Sequence, residues 1–481
     1  VGESIRKLRP PSCSADAGKT AGVNVLPSKQ FLLDVLRQAF DQLPDAASVR
    51  VETPAPGVNA RAWFAAQDAP VRSYWRSRDG AFEAATVGAA DTVGSPPAGR
   101  PDFSTVFSKI RAKLSCAHPA MRYYGGWAFD SAGPADSAWG EFGTYRFVLP
   151  RFEVNIRHGS AIFACNACRT DAGTAGLAAV ADEFDQLSAA VSCGVDSRVP
   201  ALTRRQDVPM RRDWERLVER ALGAIQEGEF EKAVLARQVT GVFSALPDVS
   251  ALLDRLALRN NHNTYLFAIQ PARGVAFLGA TPERLYKKLG NYIKTEALAG
   301  TRPRGVSAAA DETLSRDLLH NDKELREHGI VADRLRGVLD RMCCEVRADK
   351  ALSLIRLHRC QHLVRRYEGV LEDGLSDADV LAALHPTPAV GGHPDGPALQ
   401  WLGENEAFNR GWYAGPVGWI GHDASEFAMG IRSGLVSGRN LTLYSGAGIV
   451  AGSAPGAEWD ETESKLAAFL DVLTENEQKT Q

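Results

Sequence analysis

Thr264-Tyr-Leu-Phe-Ala-Ile-Gln-Pro-Ala-Arg-Gly-Val-Ala-Phe-Leu-Gly-Ala-Thr-Pro-Glu-Arg-Leu-Tyr-Lys-Lys-Leu-Gly-Asn-Tyr-Ile-Lys-Thr-Glu296 is a run of aromatic and β-branched segments cut by Gly and Pro. Positions 264–269, 274–280, 284–288 and 292–296 each fit a strand, with tight turns between them. Upstream, Phe230-Glu-Lys-Ala-Val-Leu-Ala-Arg-Gln-Val-Thr240 alternates as a further strand. Downstream, 311–342 fits one long helix or two abutting ones, with Ile330, Val331, Leu335, Val338 and Leu339 on its apolar side. Strands that adjoin one another before helices follow, without a regular βαβ alternation, indicate an α+β protein with antiparallel sheets.

Working outward, 29–43 is predicted as a helix capped by Ser28, 212–226 as a second, 377–384 as a third and 461–473 as a last one. Between 50 and 165, short runs such as Ala60-Arg-Ala-Trp-Phe64 and Thr144–Ile156 are expected to be strands, and the remainder from 385 to 450 strand and turn. The Gly/Pro-rich stretch 91–101 is expected to be a surface loop, and 194–206 a join between two halves. The expected organisation is a polar tail over 1–24, an amino-terminal part of the fold over 25–204, and a catalytic part over 205–475.

A chain of 481 residues with 44% hydrophobic and 23% charged residues has the balance of a soluble globular protein, so disordered and fibrous classes are excluded. The net charge of −3, with basic residues dispersed, argues against nucleic acid or a membrane surface as the partner and favours a small molecule. No apolar run reaches the roughly 18 residues that span a bilayer. Of eight cysteines, only Cys165-Asn-Ala-Cys168 has metal-like spacing, without a second pair, so reduced packing cysteines are expected. The start at Val1 and the basic, hydroxylated stretch Ile5–Ser14 give the expectation of an organelle-transit remnant.

Several residues could carry chemistry. Lys232 opens an apolar strand, so its ammonium either faces the interior, where a lysine can serve as a base, or sits at an edge and reaches water. Glu283 stands at a strand-to-strand turn and is either a general acid with a raised pKa or the surface partner of Arg284. Glu324 and Glu327 share one helix face, and Glu458 and Glu461 repeat that spacing at the start of the last helix. Solvated faces would explain either pair alone. Two such pairs beside Gly446-Ala-Gly-Ile-Val450 suit a hard cation, and a set of oxygen ligands without His or Cys selects magnesium over zinc.

The motifs Phe230–Arg237, Phe277-Leu-Gly-Ala-Thr-Pro-Glu-Arg-Leu285, Leu298-Ala-Gly-Thr-Arg302, Asp322–Val331, His385-Pro-Thr-Pro-Ala-Val-Gly-Gly392, Gly430-Ile-Arg432, Tyr444–Val450 and Glu458-Trp-Asp-Glu-Thr462 stand in the order found in chorismate-utilising enzymes. The chain resembles the isochorismate synthases of that family over about 205–475, and the plant and algal members more loosely around Tyr124-Gly-Gly-Trp-Ala-Phe-Asp130. The resemblance implies large antiparallel β-sheets packed as a sandwich with helices outside. It also implies Lys232 as the base that activates water for C2 of chorismate, and Glu283 as the acid that protonates the departing C4 hydroxyl. Glu327, Glu458 and Glu461 would hold Mg2+ against the ring carboxylate. Arg432 would pair with the enolpyruvyl carboxylate, with Tyr413, Gly446 and Lys465 nearby, Gly300 and Thr301 lining the site and His362 on the C4 side.

Family members that add ammonia lack the lysine base, and they and the salicylate synthases usually carry threonine where this chain has Ala389. Release of isochorismate is therefore expected. The rivals are a salicylate synthase and a non-catalytic chorismate-binding homologue. Departures from the family pattern are Thr281 for serine, Gly391-Gly392 for Ser-Gly, and Arg365-Arg366 before Tyr367. The resemblance further implies a plastid (chloroplast) stromal setting, and a monomer is expected.

Overall fold

The structure, a computed structural model, describes residues 26–95, 102–130, 137–189, 199–260 and 263–474. The tail expected over 1–24, and positions 194–198 of the stretch expected to join the halves, lie outside these residues.

Two antiparallel sheets form the body of the protein. The larger has twelve strands and runs from Ser48–Pro54 at one edge, through Tyr265–Ala272, Val275–Thr281, Ser433–Ser437 and Asn440–Val450, to Lys232–Phe243 and Gly392–His393 at the other. The smaller has ten and contains Cys360–Leu371, Tyr292–Pro303, Arg284–Leu289, Ala424–Met429, Pro416–Gly421 and Arg122–Trp127. Each sheet takes strands from both the amino-terminal and the carboxy-terminal stretches of the chain, including the strand of the Tyr124-Gly-Gly-Trp motif.

The inner faces meet through aromatic side chains, as a sandwich requires. Phe82 of the larger sheet meets Trp419 of the smaller with ring centroids 6.0 Å apart. Helices cover the outer faces. Lys29–Gln42, capped by Ser28, and Val249–Arg259 bury Leu32, Leu36, Leu252 and Leu256 on the larger sheet. Phe103–Arg111 packs on the smaller one, where Trp127 meets Phe103, Phe107, Phe147 and Phe427 at 4.4–5.5 Å.

The chain crosses between the sheets twice in neighbouring places. Val275–Thr281 of the larger sheet leads through Pro282-Glu283 into Arg284–Leu289 of the smaller, and Ala424–Met429 returns through Gly430-Ile431-Arg432 to Ser433–Ser437. The crossings are tied together: Met429 N donates to Glu283 O at 3.0 Å, and Ala280 N donates to Arg432 O at 3.1 Å. Both Glu283 and Arg432 are thereby set between the sheets.

The four strands of the opening stretch form as predicted, as do the helices Arg211–Gln226 and Asp377–Leu384. The long helical stretch is two helices, Ala308–His320 and Asp322–Met342, meeting at Asn321, whose side chain accepts the Glu324 N–H and caps the second. The last helix begins earlier than predicted and spans Pro455–Thr474.

Four expectations are corrected. Ala60–Ala66 is a helix rather than a strand: Asn59 accepts the Ala62 N–H as its cap, and burying Trp63 and Phe64 together outweighs their β-preference. Asp395–Asn405 is a helix within the stretch expected to be strand and turn, anchored by buried Ala398 and Leu402. Asp91–Gly94 is a strand paired with Tyr145–Leu149 rather than loop, and Leu202–Val208 is a strand paired with Lys232–Phe243. The expectation of reduced cysteines stands: Cys165 and Cys168 are free thiols in one strand, three positions apart and so on opposite faces.

Trp127→Ala would open a large void among four rings, and a loss of about 3–5 kcal/mol of unfolding free energy is expected by urea titration. A loss below about 1 kcal/mol would mean the packing does not carry stability as described.

Candidate active site

The two crossings open on a cleft whose empty space, open mouth included, is about 710 Å³. Its lining includes Glu283, Gly300, Thr301, Glu327, His362, Ala389, Tyr413, Arg432, Gly446 and Lys465, ten of the residues singled out in the sequence. Lys232 meets the lining through Glu327, and Glu461 through Lys465, while Glu458, paired with Lys323, is not part of it.

Lys232 is the first residue of a strand paired on both sides, to Val450 and to His393, so it is not an edge lysine. Its side chain is fully buried, and its Nζ donates to Glu327 Oε1 at 3.0 Å. That approach depends on Gly448: a Cβ there would overlap the Glu327 carboxylate and stand 2.9 Å from Lys232 Cε.

Glu283 is also buried and does not pair with Arg284, which instead donates to the Tyr265 hydroxyl at 2.7 Å. Burial, and then the nearby Glu296 carboxylate, push the Glu283 carboxyl up to about 8, against the pull of Lys232, Lys465 and Arg432. Glu296 is engaged by Arg78, whose Nη2 donates to Glu296 Oε2 at 2.7 Å. The structure thus holds one buried lysine and one carboxyl protonated at neutral pH beside the same cavity.

On the floor, Gly300 adopts φ +79° at a shift of register between Tyr292–Pro303 and Cys360–Leu371, a bulge that suits glycine. Glu324 braces this bulge. It accepts the Thr301 N–H at 2.8 Å on Oε2 and Arg302 Nη1 at 2.7 Å on Oε1. Both of its oxygens are thus occupied by protein donors, which sets it apart from the other three glutamates. His362 Nε2 stands 3.2 Å from Arg432 Nη2 and its Nδ1 3.2 Å from Gly300 O. His362 thus bridges Arg432 and the Gly300 bulge. Arg365 and Arg366 lie inside the strand Cys360–Leu371 rather than in a loop.

Opposite, Arg432 has φ +52°, an uncommon backbone for arginine that the two crossings hold in place. Tyr413 stacks on Tyr444 at 5.1 Å, and burial raises its hydroxyl to about 12, so it is a neutral donor. Lys465 Nζ donates to Gly446 O at 2.8 Å and pairs with Glu461 Oε1 at 2.7 Å.

The two glutamate stretches meet. Lys323 of Asp322–Met342 reaches Glu458 of Pro455–Thr474 at 2.7 Å. Burial and the neighbouring Glu461 raise the Glu458 carboxyl; Glu461 is lowered despite burial because Lys465, Lys323 and His362 outweigh it. Each of the three glutamates faces one ammonium: Glu327 with Lys232, Glu458 with Lys323, Glu461 with Lys465. Among the described residues no three Asp, Glu, His or Cys side chains already stand together at ligand spacing. The donor chemistry nonetheless fits a hard cation, since all three are carboxylates and Glu458 Oε2 is buried without a hydrogen-bond donor at bonding geometry.

Sequence reasoning passed over Arg410 and Glu406. Arg410 is buried and donates to Val390 O at 2.8 Å and Val234 O at 2.6 Å, while Glu406 Oε1 accepts Ala236 N at 2.9 Å. Together they fasten the Ala389-Val390 loop to the strand of Lys232. Their i,i+4 spacing was the only signal, and it is a common one.

A family model described as "Chorismate binding enzyme" matches residues 34–474. The chain is 34% identical over 397 residues to the chloroplastic isochorismate synthase of Catharanthus roseus, covering 81% of this chain and 68% of the relative. It is 32% identical over 460 residues to isochorismate synthase MenF of Escherichia coli (strain K12), covering 92% and 98%. The solved structure of the menaquinone-specific isochorismate synthase MenF from Escherichia coli superposes with a TM-score of 0.79 at 28% identity, over 92% of this chain and 99% of that one.

The raised carboxyl has a consequence for stability. Glu283 titrates from its ordinary 4.5 up to about 8 in the fold, so its contribution is fully present below 4.5 and lost as pH rises through 8. Glu283→Gln is expected to match the wild type at low pH and to exceed it above pH 8 by on the order of a few kcal/mol in urea unfolding. Equal stability across that range would contradict the raised value.

Proposed function

The chain belongs to the chorismate-binding enzyme family, and on that premise we propose that it converts chorismate to isochorismate by adding water at C2 and expelling the C4 hydroxyl. The observation that carries this reading is the placing, beside one cleft, of a buried lysine, Lys232, and a buried glutamate, Glu283, whose carboxyl is pushed up to about 8 by burial.

Chorismate is a dianion, and the cavity supplies cations for it. Arg432 binds the enolpyruvyl carboxylate through its planar fork, with Tyr413 donating beside it and Lys465 adding charge. Gly300 and Thr301 support the ring, and His362 orients Arg432 while standing toward the C4 side. Acting as the neutral amine rather than as the ammonium seen against Glu327, Lys232 takes a proton from the attacking water at Nζ, and that proton afterwards returns to Glu283. Glu283 delivers its own proton to the departing hydroxyl, which its raised pKa equips it to do near neutrality. The product's hydroxyl at C2 and the water released from C4 balance the reaction as an isomerisation.

Glu327, Glu458 and Glu461 would hold Mg2+, which supplies positive charge for the ring carboxylate when bound. Glu324 is assigned to bracing the Gly300-Thr301 bulge instead, since both its oxygens are taken. Ala389 lines the cavity where a hydroxyl would stand in a threonine, which favours release of isochorismate over further conversion to salicylate. A monomer in the plastid stroma completes the reading, in keeping with the chloroplastic relatives, of which the Arabidopsis thaliana isochorismate synthase 2 is another at 35% identity.

Incubation with chorismate and Mg2+ is expected to give isochorismate by chromatography, to stop with EDTA and to resume with added Mg2+. Salicylate and pyruvate as products, or full activity in EDTA, would contradict it. Lys232→Ala and Glu283→Ala should each lower kcat by roughly 10²–10⁴-fold with the chain still folded, and unchanged turnover in either would remove its role. Gly448→Ala should cut kcat/KM at least about tenfold by forcing Glu327 and Lys232 apart.

A further inference from the structure

Cys360 opens the strand Cys360–Leu371, two positions before His362 and therefore on the same face. Its sulfur lies 3.6 Å from Arg432 Nη2 and 3.5 Å from His362 Nε2, while Arg432 Nη2 is 3.2 Å from His362 Nε2. The three groups form a closed triangle at one end of the guanidinium. Arginine can only donate, so the sulfur and the imidazole nitrogen are both on the accepting side.

A second cavity of about 430 Å³ lies behind this triangle, lined by Cys360, Leu256, Leu357 and Phe469 and sharing Arg432 and Lys465 with the main one. Arg432 thus lines both clefts. Its backbone is fixed by the crossing, but its head group needs polar partners to hold one direction. Ordinary packing, the usual reason for a buried cysteine, would ask only for a small apolar side chain here.

We propose that Cys360 is a positioning residue for Arg432: its sulfur, with His362, holds the Nη2 end of the guanidinium so that an anionic substrate meets an arginine already oriented. An acceptor carrying charge does this better than a neutral one. The surroundings supply that charge, because Arg432 and then His362 outweigh the effect of burial and bring the thiol down to about 6. The role rests on the substrate-binding part assigned to Arg432 above.

Two measurements test it, and only one needs turnover. On the substrate-free protein at about pH 7.5, ultraviolet absorbance at about 240 nm should show one thiolate that is absent in Cys360→Ala and lost in Arg432→Gln. With chorismate, Cys360→Val, which fills the volume, should raise KM about tenfold with kcat changed less than about threefold, and Cys360→Ser should recover KM to within about threefold. A wild-type KM in Cys360→Val, or no thiolate signal that depends on Arg432, would overturn the proposal. If the wild type itself fails to turn over chorismate, the proposed function falls, while the absorbance still reports whether sulfur and guanidinium are joined.

Discussion

The contact between Lys232 and Glu327, 3.0 Å apart with the lysine fully buried, constrains everything around it. A charge taken out of water must be matched inside the protein, or the fold loses several kcal/mol. Here the match is repeated three times, with Lys323 on Glu458 and Lys465 on Glu461, so a cavity rich in both signs stays balanced. The geometry leaves no room for a side chain at Gly448, and it requires the helix Asp322–Met342 to lie against the strand Asn440–Val450. Buried ion pairs are poor sources of stability, and their presence in such number marks a site kept for chemistry.

Glu283 occupies the opposite environment only a short way across the cavity. It too is buried, but its nearest titratable influence is another carboxylate, Glu296, and it keeps its proton. Two groups whose surroundings separate them in this way can act as base and acid in one reaction. The separation comes from architecture. Glu283 sits where the chain passes from one sheet to the other, and Arg432 sits on the neighbouring return, so the two are tied by backbone hydrogen bonds through their crossings.

Much of this was legible in the sequence. The alternation in 264–296 predicted strands of both sheets, and Glu283, Glu327, Arg432 and Lys465 line one cleft, with Lys232 reaching it through Glu327. Residues whose role depends on distant partners were harder to see. Nothing near Glu324 distinguishes it from Glu327, yet the first accepts the Thr301 and Arg302 donors and the second meets Lys232. Lys323 stands next to Glu324 on a helix face that solvation alone would explain, yet it reaches across to Glu458. Ala60–Ala66 was misjudged because aromatic residues favour strands locally, whereas burial of Trp63 and Phe64 is decided by what packs above them. Cys360 gave no signal at all; only the approach of Arg432 from another sheet gives it a partner.

The central claim is that a water molecule, activated at Lys232, attacks one face of the substrate while Glu283 protonates the group leaving from C4. Turnover in water enriched in ¹⁸O, followed by mass spectrometry of the product, tests it most directly. The account predicts isochorismate carrying one solvent oxygen at C2 for every molecule formed. Isochorismate without the label would mean that the hydroxyl migrates within the substrate, and would contradict it.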